Sequence, residues 1–502
     1  MDANGRWICT GWLILLAVAV LSAAHWPIYP YFLDSYYHLS VIEGFRNAGG
    51  PVLQAVWEAA PQGRPHLYPP LFHLLFLPLR EAGLPLMTLA RFWTWLSFPA
   101  LLLAVWLTLR QVGSPRLAAL TLIALVTPYS FFLGSINYVP ATLTLIFAMG
   151  ILAALKRQRW VAGGLLLALV FWTHAGLSWL LALSLVLFGL FSRSHRKTAW
   201  LCVAVGLAGA APWLLHLAQH SSNFRFAPRG EEHFLEFSLL PLVLALIGGI
   251  VAWRKGGIYR FWVALALGFL PMLAGYRFRF FAAQGLFPIL LLTGIALEEA
   301  AARFLNGWHL AAALAGLAFL APTWHTSPTA QQLVWADTTP IVLSGAAKPA
   351  FRGTGNPLYQ SRLITPLVQA VQAHTNRDEL VFCNLPYMGI LLGVLSDRAS
   401  SSPLLREMGD TPQADQIRPA RVIVWLKDPS GSPSREMEEA VLQFHLRPLG
   451  ETELAYLFFN PYADGKRQAQ KAVCAGWLAL GVLGLLFGLA MRDLRRPESS
   501  CG

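Results

Sequence analysis

The stretch YPYFLDSYYHLSVIEGFRNAGG, residues 29–50, sets an acid, an imidazole and a second acid at short intervals. Asp34 and His38 lie four residues apart, so a helix would place them on one face, with Glu43 about one and a half turns further on. A carboxylate at the start of such a helix can act as a general base or as a metal ligand. It can equally be a helix cap, since Asp is favoured there. His38 taken alone fits a structural imidazole, and Tyr36 and Tyr37 fit either substrate contacts or the aromatic belt of a membrane interface.

Further polar groups interrupt the apolar sequence. Tyr68-Pro69-Pro70 in PHLYPPLFHLLF fixes a bend, because Pro is tolerated at a helix start and not inside a helix. Arg277 and Arg279 in AGYRFRFFAAQGLFPILLL stand at the end of an apolar run, where a guanidinium is costly unless it is paired, binds a phosphate or snorkels to headgroups. Asn137-Tyr138-Val139-Pro140 and Trp172-Thr173-His174-Ala175-Gly176 read as tight turns. The segment 219–236 carries Arg225, Arg229, Glu231, Glu232, His233 and Glu236, either as a lid or as a solvated loop.

The elements that must position these residues are membrane helices. Only 13% of residues are charged, against about 25% in soluble domains, and mean hydropathy is +0.50. A membrane-crossing helix needs about 20 apolar residues. Such runs occur near 7–27, 86–109, 117–133, 138–155, 160–173, 176–192, 198–216, 238–253, 259–275, 280–299, 306–322 and 472–491, which predicts about twelve spans. Residues 69–82 are apolar but short, and read as a juxtamembrane helix.

Alternate connectors are basic: Arg110 and Arg116; Lys156, Arg157 and Arg159; Arg193, Arg196 and Lys197; Arg254, Lys255 and Arg260; Arg303; and the tail with Arg492, Arg495 and Arg496. Basic residues stay on the cytoplasmic side. The expected topology therefore has a cytoplasmic N-terminus and puts Asp34, His38, Glu43, Arg277 and Arg279 on the extracytoplasmic face of a plasma membrane. The net charge of +12 is explained by these span ends, and no basic stripe suggests nucleic acid. The five cysteines, Cys9, Cys202, Cys383, Cys474 and Cys501, show no metal or disulfide spacing. His25-Trp26-Pro27 after the first apolar run is no small-residue cleavage site, so an uncleaved first span is expected.

The predicted organisation is a transmembrane domain over 1–322 with a long first outer loop at 28–85, an extracytoplasmic α/β domain over 323–470, and a final span with basic tail over 471–502. In the α/β domain, 379–383, 421–426 and 454–459 read as strands, and 361–373, 386–395 and 434–444 as helices.

Together the pieces resemble the GT-C superfamily of membrane glycosyltransferases. Asp34-Ser35-Tyr36-Tyr37-His38-Leu39 is similar to a D-x-Y-Y-H-L motif of oligosaccharyltransferase catalytic subunits. Tyr68-Pro69-Pro70-Leu71 is similar to a Y-P-P-L motif of the protein O-mannosyltransferase and aminoarabinose transferase relatives. The resemblance implies an all-α polytopic fold, a polyprenyl-phosphate-linked sugar as donor, and an acceptor that is a protein, a lipid or a polysaccharide, reached among membrane lipids. It implies Asp34, His38 and Glu43 as catalytic residues and Arg277 and Arg279 at the lipid phosphate. Tyr37, Tyr68, Asn137, Tyr138, His174, Arg225 and Glu232 would contact substrate. Oligosaccharyltransferases carry an acidic motif in the second outer loop; the matching turn here, Gly134-Ser135-Ile136-Asn137-Tyr138, has no acid. That favours a single-sugar transferase, with a divalent cation such as Mg or Mn left open and Asp34 its ligand if one binds. The competing classes are a metal-dependent oligosaccharyltransferase and a transporter or flippase of lipid-linked glycans. A transporter would place its polar groups at mid-membrane, whereas here they gather on one face.

Overall fold

The computed structural model describes residues 3–24, 26, 34–128, 131, 134–135, 140–223, 235–303, 323–327, 330–334, 361–404, 411–427, 433–469 and 471–495. Among them the chain is mostly helical. In order come α1 Ala3–Ala24, α2 Asp34–Ala48, the two-residue strands β1 Gln54–Ala55 and β2 Arg64–Pro65, α3 Leu71–Glu81, α4 Leu86–Val112, α5 Pro115–Val126, α6 Ala141–Lys156, α7 Trp160–Phe171, α8 Ala175–Phe191 and α9 Arg196–Gln219. There follow β3 Leu235–Ser238, α10 Leu239–Lys255, α11 Arg260–Phe269, the short helices α12 Met272–Gly275 and α13 Arg277–Ala282, α14 Leu286–Arg303, β4 Thr323–Ser327 and β5 Ala330–Val334. The remainder is α15 Ser361–His374, β6 Leu380–Cys383, α16 Pro386–Ser396, β7 Ala399–Ser400, α17 Gln413–Ile417, β8 Ala420–Leu426, α18 Arg435–Gln443, β9 Arg447–Glu451, β10 Ala455–Phe459 and α19 Gly476–Arg495.

Four described helical stretches are long and apolar enough to cross a membrane: Leu86–Val112, Arg193–Gln219, Gly257–Gly275 and Arg279–Arg303. Others, such as Pro115–Val126 and Ala175–Phe191, are apolar but only 10–17 residues long. The physical reason is local. The run expected to span 117–133 stops at Val126: Thr127 still has helical angles, but Pro128 has no N–H to carry the helical hydrogen-bond ladder on. At its other end Ser114 caps α5, its hydroxyl accepting the Leu117 N–H at 2.9 Å with Pro115 at the first helical position. The run at 306–322 lies outside the described residues.

Helices approach closely where glycine permits. A Cβ on Gly248 of α10 would stand 1.9 Å from the Leu292 carbonyl oxygen of α14, so only hydrogen fits at that crossing. On α2, a Cβ on Gly44 would lie 2.1 Å from the Trp57 ring, which seats the first loop on the helix that begins with Asp34.

Residues 361–469 build a five-stranded sheet ordered β7-β6-β8-β10-β9. Strand β6 pairs in parallel with β7 and β8, while β10 pairs antiparallel with β8 and β9. Strand β6 is buried throughout, as a central parallel strand covered on both faces must be. The sheet does not stop at β7. Trp57–Ala60 of the first loop continues it: Ser400 N–H donates to the Trp57 carbonyl at 2.9 Å and Ala60 N–H to the Ser400 carbonyl at 3.1 Å. A sheet edge left open invites such pairing. A second, antiparallel sheet, β3-β4-β5, was not expected from the sequence. The final helix α19 is tied at both ends. Val473 and Gly476 N–H groups donate to the Pro51 and Gly49 carbonyls, and Asp493 accepts the Ala162 N–H at 3.2 Å at the start of α7.

Candidate active site

Helix α2 is amphipathic in an unusual sense: every residue from Ser35 to Phe45 is buried, and only its first and last turns reach outward. Asp34, half-buried in the first turn, is thus the acid that α2 presents at its outer end. A carboxylate at a helix N-terminus is stabilised by the backbone N–H groups there. Behind it Tyr37 and Tyr68 pack with ring centroids 5.8 Å apart, and His38 meets Tyr68 edge-on at 5.0 Å.

Tyr68 joins three elements. It is half-buried, and desolvation raises its phenol pKa; Arg279 on α13 pulls that pKa down and Asp34 on α2 pushes it up. The phenol therefore stands within electrostatic reach of one cation and one carboxylate, and keeps its proton at neutral pH. Arg279 also lies against the Tyr276 ring, its guanidinium carbon 5.1 Å from the centroid.

His174 enters from the turn between α7 and α8. Its Nδ1 accepts the N–H groups of Gly176 and Leu177 at 3.1 and 3.2 Å, capping α8. Because Nδ1 supplies a lone pair to both, the ring proton is on Nε2. Burial, then the nearby Arg279 charge, push its pKa down to about 3, so this ring is a neutral donor. His174 meets Tyr68 edge-on at 6.1 Å between centroids.

Further imidazoles lie beneath. His38 Nδ1 and His73 Nε2 on α3 are 2.9 Å apart and the two rings stack. His66 packs against Trp57, Phe45 and His73. Burial is the main cause that lowers His38 and His66 to about 3 and His73 well below its usual value. With His174, four histidines are therefore uncharged at neutral pH around the first loop.

Of the residues expected from sequence, Asp34, Tyr37, His38, Tyr68, His174 and Arg279 converge. Glu43 does not join them. Arg46 Nη1 and Arg80 Nε each donate to one of its carboxylate oxygens at 2.7 Å, so its charge is neutralised inside the α2–α3 pair. Only the backbone of Arg277 is described, as the first residue of α13. Asn137, Tyr138, Arg225 and Glu232 lie outside the described residues. Sequence reasoning passed over His73, His66 and the Glu58–Arg64 pair. Arg64 Nη2 donates to Glu58 Oε2 at 2.7 Å in a buried contact, and the Leu404 N–H donates to the same oxygen at 3.2 Å. The signal was present in PHLYPPLFHLLF, where two histidines interrupt an apolar segment.

Among the described residues, no three His, Cys, Asp or Glu side chains are grouped as metal ligands. Among the described residues, Glu43 and Glu58 are each paired with arginines.

No protein-family model matches the chain, and no curated protein matches it in sequence. Solved structures do. The oligosaccharyltransferase AglB of Archaeoglobus fulgidus, in complex with an inhibitory peptide and a dolichol-phosphate, superposes with a TM-score of 0.60 at 11% identity, covering 90% of this chain and 74% of that one. ArnT of Cupriavidus metallidurans bound to undecaprenyl phosphate gives 0.56 at 13% identity, covering 92% and 99%. The A. fulgidus oligosaccharyltransferase with Zn and sulfate gives 0.56 at 11%, covering 82% and 68%. These are GT-C glycosyltransferases of membranes, and their fold is the fold of this chain.

Proposed function

We propose that this protein transfers a sugar from a polyprenyl-phosphate carrier to an acceptor hydroxyl at the extracytoplasmic face of the membrane. The observation that carries the reading is the placement of the half-buried Tyr68 phenol within the fields of both Asp34 and Arg279, in a chain of GT-C fold.

The acceptor oxygen attacks the anomeric carbon as the bond from that carbon to the phosphate oxygen breaks. Asp34 takes the acceptor proton, which makes the oxygen a better nucleophile. The bonding pair leaves with the phosphate. Arg279, together with Arg277 from the same short helix, neutralises the charge that develops there. The His174 Nε2–H and the Tyr68 hydroxyl donate hydrogen bonds to the phosphate oxygens. His174, held as a helix cap, and Tyr68, packed among rings, are in place before substrate arrives, which lowers the reorganisation needed at the moment of reaction. His38, neutral and one turn beyond Asp34, offers a hydrogen bond to a substrate hydroxyl. Tyr37 lines the wall behind Tyr68. Asn137, Tyr138, Arg225 and Glu232 complete the substrate contacts in this reading. Glu43 has a different part: with Arg46 and Arg80 it holds α3 against α2.

The test is transfer from a radiolabelled polyprenyl-phosphate hexose by the purified protein in liposomes, with and without EDTA, beside Asp34→Asn and Arg279→Ala. Transfer that survives EDTA and is lost in both variants supports the reading. Loss with EDTA points to a metal-dependent oligosaccharyl transfer instead. Tight lipid binding without any sugar release points to a transporter.

A further inference from the structure

We propose that the groove between α10 and α11 binds an anionic phospholipid, which lays one acyl chain along the groove and sets its phosphate on Arg254. The site is separate from the one that holds Asp34 and Arg279. Helices α10 and α11 form its walls and α14 its floor, and it encloses about 630 Å³, a size that small-molecule sites share. Small side chains make the space: Ala245 and Gly249 on α10, and Ala266 on α11. A Cβ on Gly249 would meet only the Leu292 Cδ1, at 4.0 Å. The adjacent Gly248 lets α10 rest on the α14 backbone, so the helices touch on one side of this crossing and leave the groove on the other.

The length of the groove selects its occupant. It runs along α10 from Arg254 to Leu242, about 18 Å of helix. One leaflet of a bilayer has a hydrocarbon depth of about 15 Å, half of the whole core. A single acyl chain therefore fills the groove when its headgroup stands at one end. Only one end is polar. Every lining residue but Arg254 is apolar, and Trp253 beside it is the aromatic residue expected at the level of the headgroups.

Charge decides which headgroup. Lys255 is neutralised by Glu298 and Glu299, at 3.4 and 3.6 Å, and Arg303 by Glu299. Arg254 is exposed and makes no hydrogen bond or ion pair with the described residues. A second cation stands next to it: the Arg260 guanidinium lies over the Trp253 ring, 4.8 Å from its centroid, and donates to the Phe191 carbonyl. That contact also brings the basic turn Arg193–His195 alongside. A guanidinium takes a phosphate in two parallel hydrogen bonds, and basic pockets between membrane helices hold anionic headgroups. This headgroup is not that of the sugar carrier. Helix α14 rises about 18 Å between Leu286, beside α13 and Arg279, and Glu298, beside Lys255.

The experiment is fluorescence quenching of the full-length protein in phosphatidylcholine nanodiscs. Phosphatidylglycerol or phosphatidylcholine with brominated acyl chains is mixed in at equal mole fractions. Bromine quenches an indole that it touches, and the difference between the wild type and Trp253→Phe isolates the groove. Brominated phosphatidylglycerol should quench the Trp253 emission with an apparent affinity about fivefold above that of brominated phosphatidylcholine. Arg254→Gln should erase the difference, and Arg254→Lys should restore part of it. Gly249→Leu, which fills the groove and keeps the charge, should weaken quenching by both lipids. Equal quenching by the two lipids in the wild type, or a preference that Arg254→Gln leaves intact, overturns the proposal and makes the occupant an annular lipid only. Loss of the quenching on adding polyprenyl phosphate also overturns it, and gives the groove to the chain of the sugar carrier. If Gly249→Leu fails to fold, Arg254→Gln, at an exposed position, decides on the same signal. The readout involves no sugar transfer, so this site and the transferase reading stand or fall separately.

Discussion

His174 and Tyr68 meet edge to face across 6.1 Å, one carried by the α7–α8 turn and the other by the first loop. Burial pushes the His174 titration down to about 3 and the Tyr68 phenol above its ordinary value, so each keeps a proton to donate at neutral pH. Two donors from separate elements thus flank the region that Arg279 makes positive.

His174→Asn separates the two duties of that imidazole. An Asn side chain accepts backbone N–H groups at a helix start as well as any residue does, so α8 should keep its cap. The Nε2–H donor is lost. We expect a thermal midpoint close to wild type and a kcat lower by about 10²-fold, the usual effect of removing one preorganised donor. His174→Ala should lose the cap as well and show both defects. Unfolding scans and initial rates on the two variants distinguish the cases, and an unchanged rate in His174→Asn would remove His174 from the phosphate site.

Acid should unfold this protein earlier than its carboxylates alone would require. His38, His66 and His174 have folded pKa values near 3, below the unfolded value of about 6.5. The unfolded chain therefore binds protons that the folded chain refuses. Stability is complete above about pH 6.5 and is lost as pH falls from there toward 3, by up to about 1.4 kcal/mol per pH unit for each such ring. The thermal midpoint in detergent should drop clearly between pH 7 and pH 5. The drop should shrink in His66→Phe, because His66 makes no ring-nitrogen hydrogen bond to lose. A midpoint flat over that interval would mean the imidazoles are solvated.

Glu58 ties the first loop to the sheet that follows it by 300 residues or so of chain. Removing it leaves Arg64 buried without its carboxylate and frees the Leu404 N–H. Breaking one side of such a pair costs roughly 3–5 kcal/mol. Glu58→Ala should therefore lower stability strongly. The double change Glu58→Leu with Arg64→Met, which removes both charges, should recover much of the loss. Chemical denaturation of the two variants measures the difference, and equal losses would show that the ion pair itself is not what holds Trp57–Ala60 on β7.

Local pattern and distant register were legible to very different degrees. The expected strands at 379–383, 421–426 and 454–459 coincide closely with β6, β8 and β10, because short apolar β-branched runs between turn residues say what they are within a few residues. The apolar character of the helices was equally plain from composition. Helix ends were less so: the reading carried 117–133 through Pro128, whose missing N–H ends α5. Long-range placement was not legible at all. No feature of Trp57–Ala60 announces that it will pair with Ser400, since main-chain pairing depends on backbone groups that every residue has. The site shows the same division. Asp34 and His38 could be placed on one face by counting. The partner of His38, 35 positions away on another helix, could not.

Glu43 is the sharpest test of that division, since spacing groups it with Asp34 and His38 and the structure pairs it with two arginines. Arg46 and Arg80 hold both its oxygens, and Arg80 also donates to the Leu84 carbonyl at 3.2 Å. Charged hydrogen bonds of this kind contribute roughly 2 kcal/mol each. Glu43→Ala should accordingly lower the thermal midpoint by loosening α3 from α2. The rate per folded molecule, measured at a temperature where the variant is fully folded, should stay within about threefold of wild type, because no interaction made only in the transition state is lost. Glu43→Gln, which can still accept from both arginines, should lie between the two in stability and match wild type in rate. A kcat that collapses in Glu43→Gln while its midpoint holds would return this carboxylate to the reaction, and would require Arg80 to release it when substrate binds.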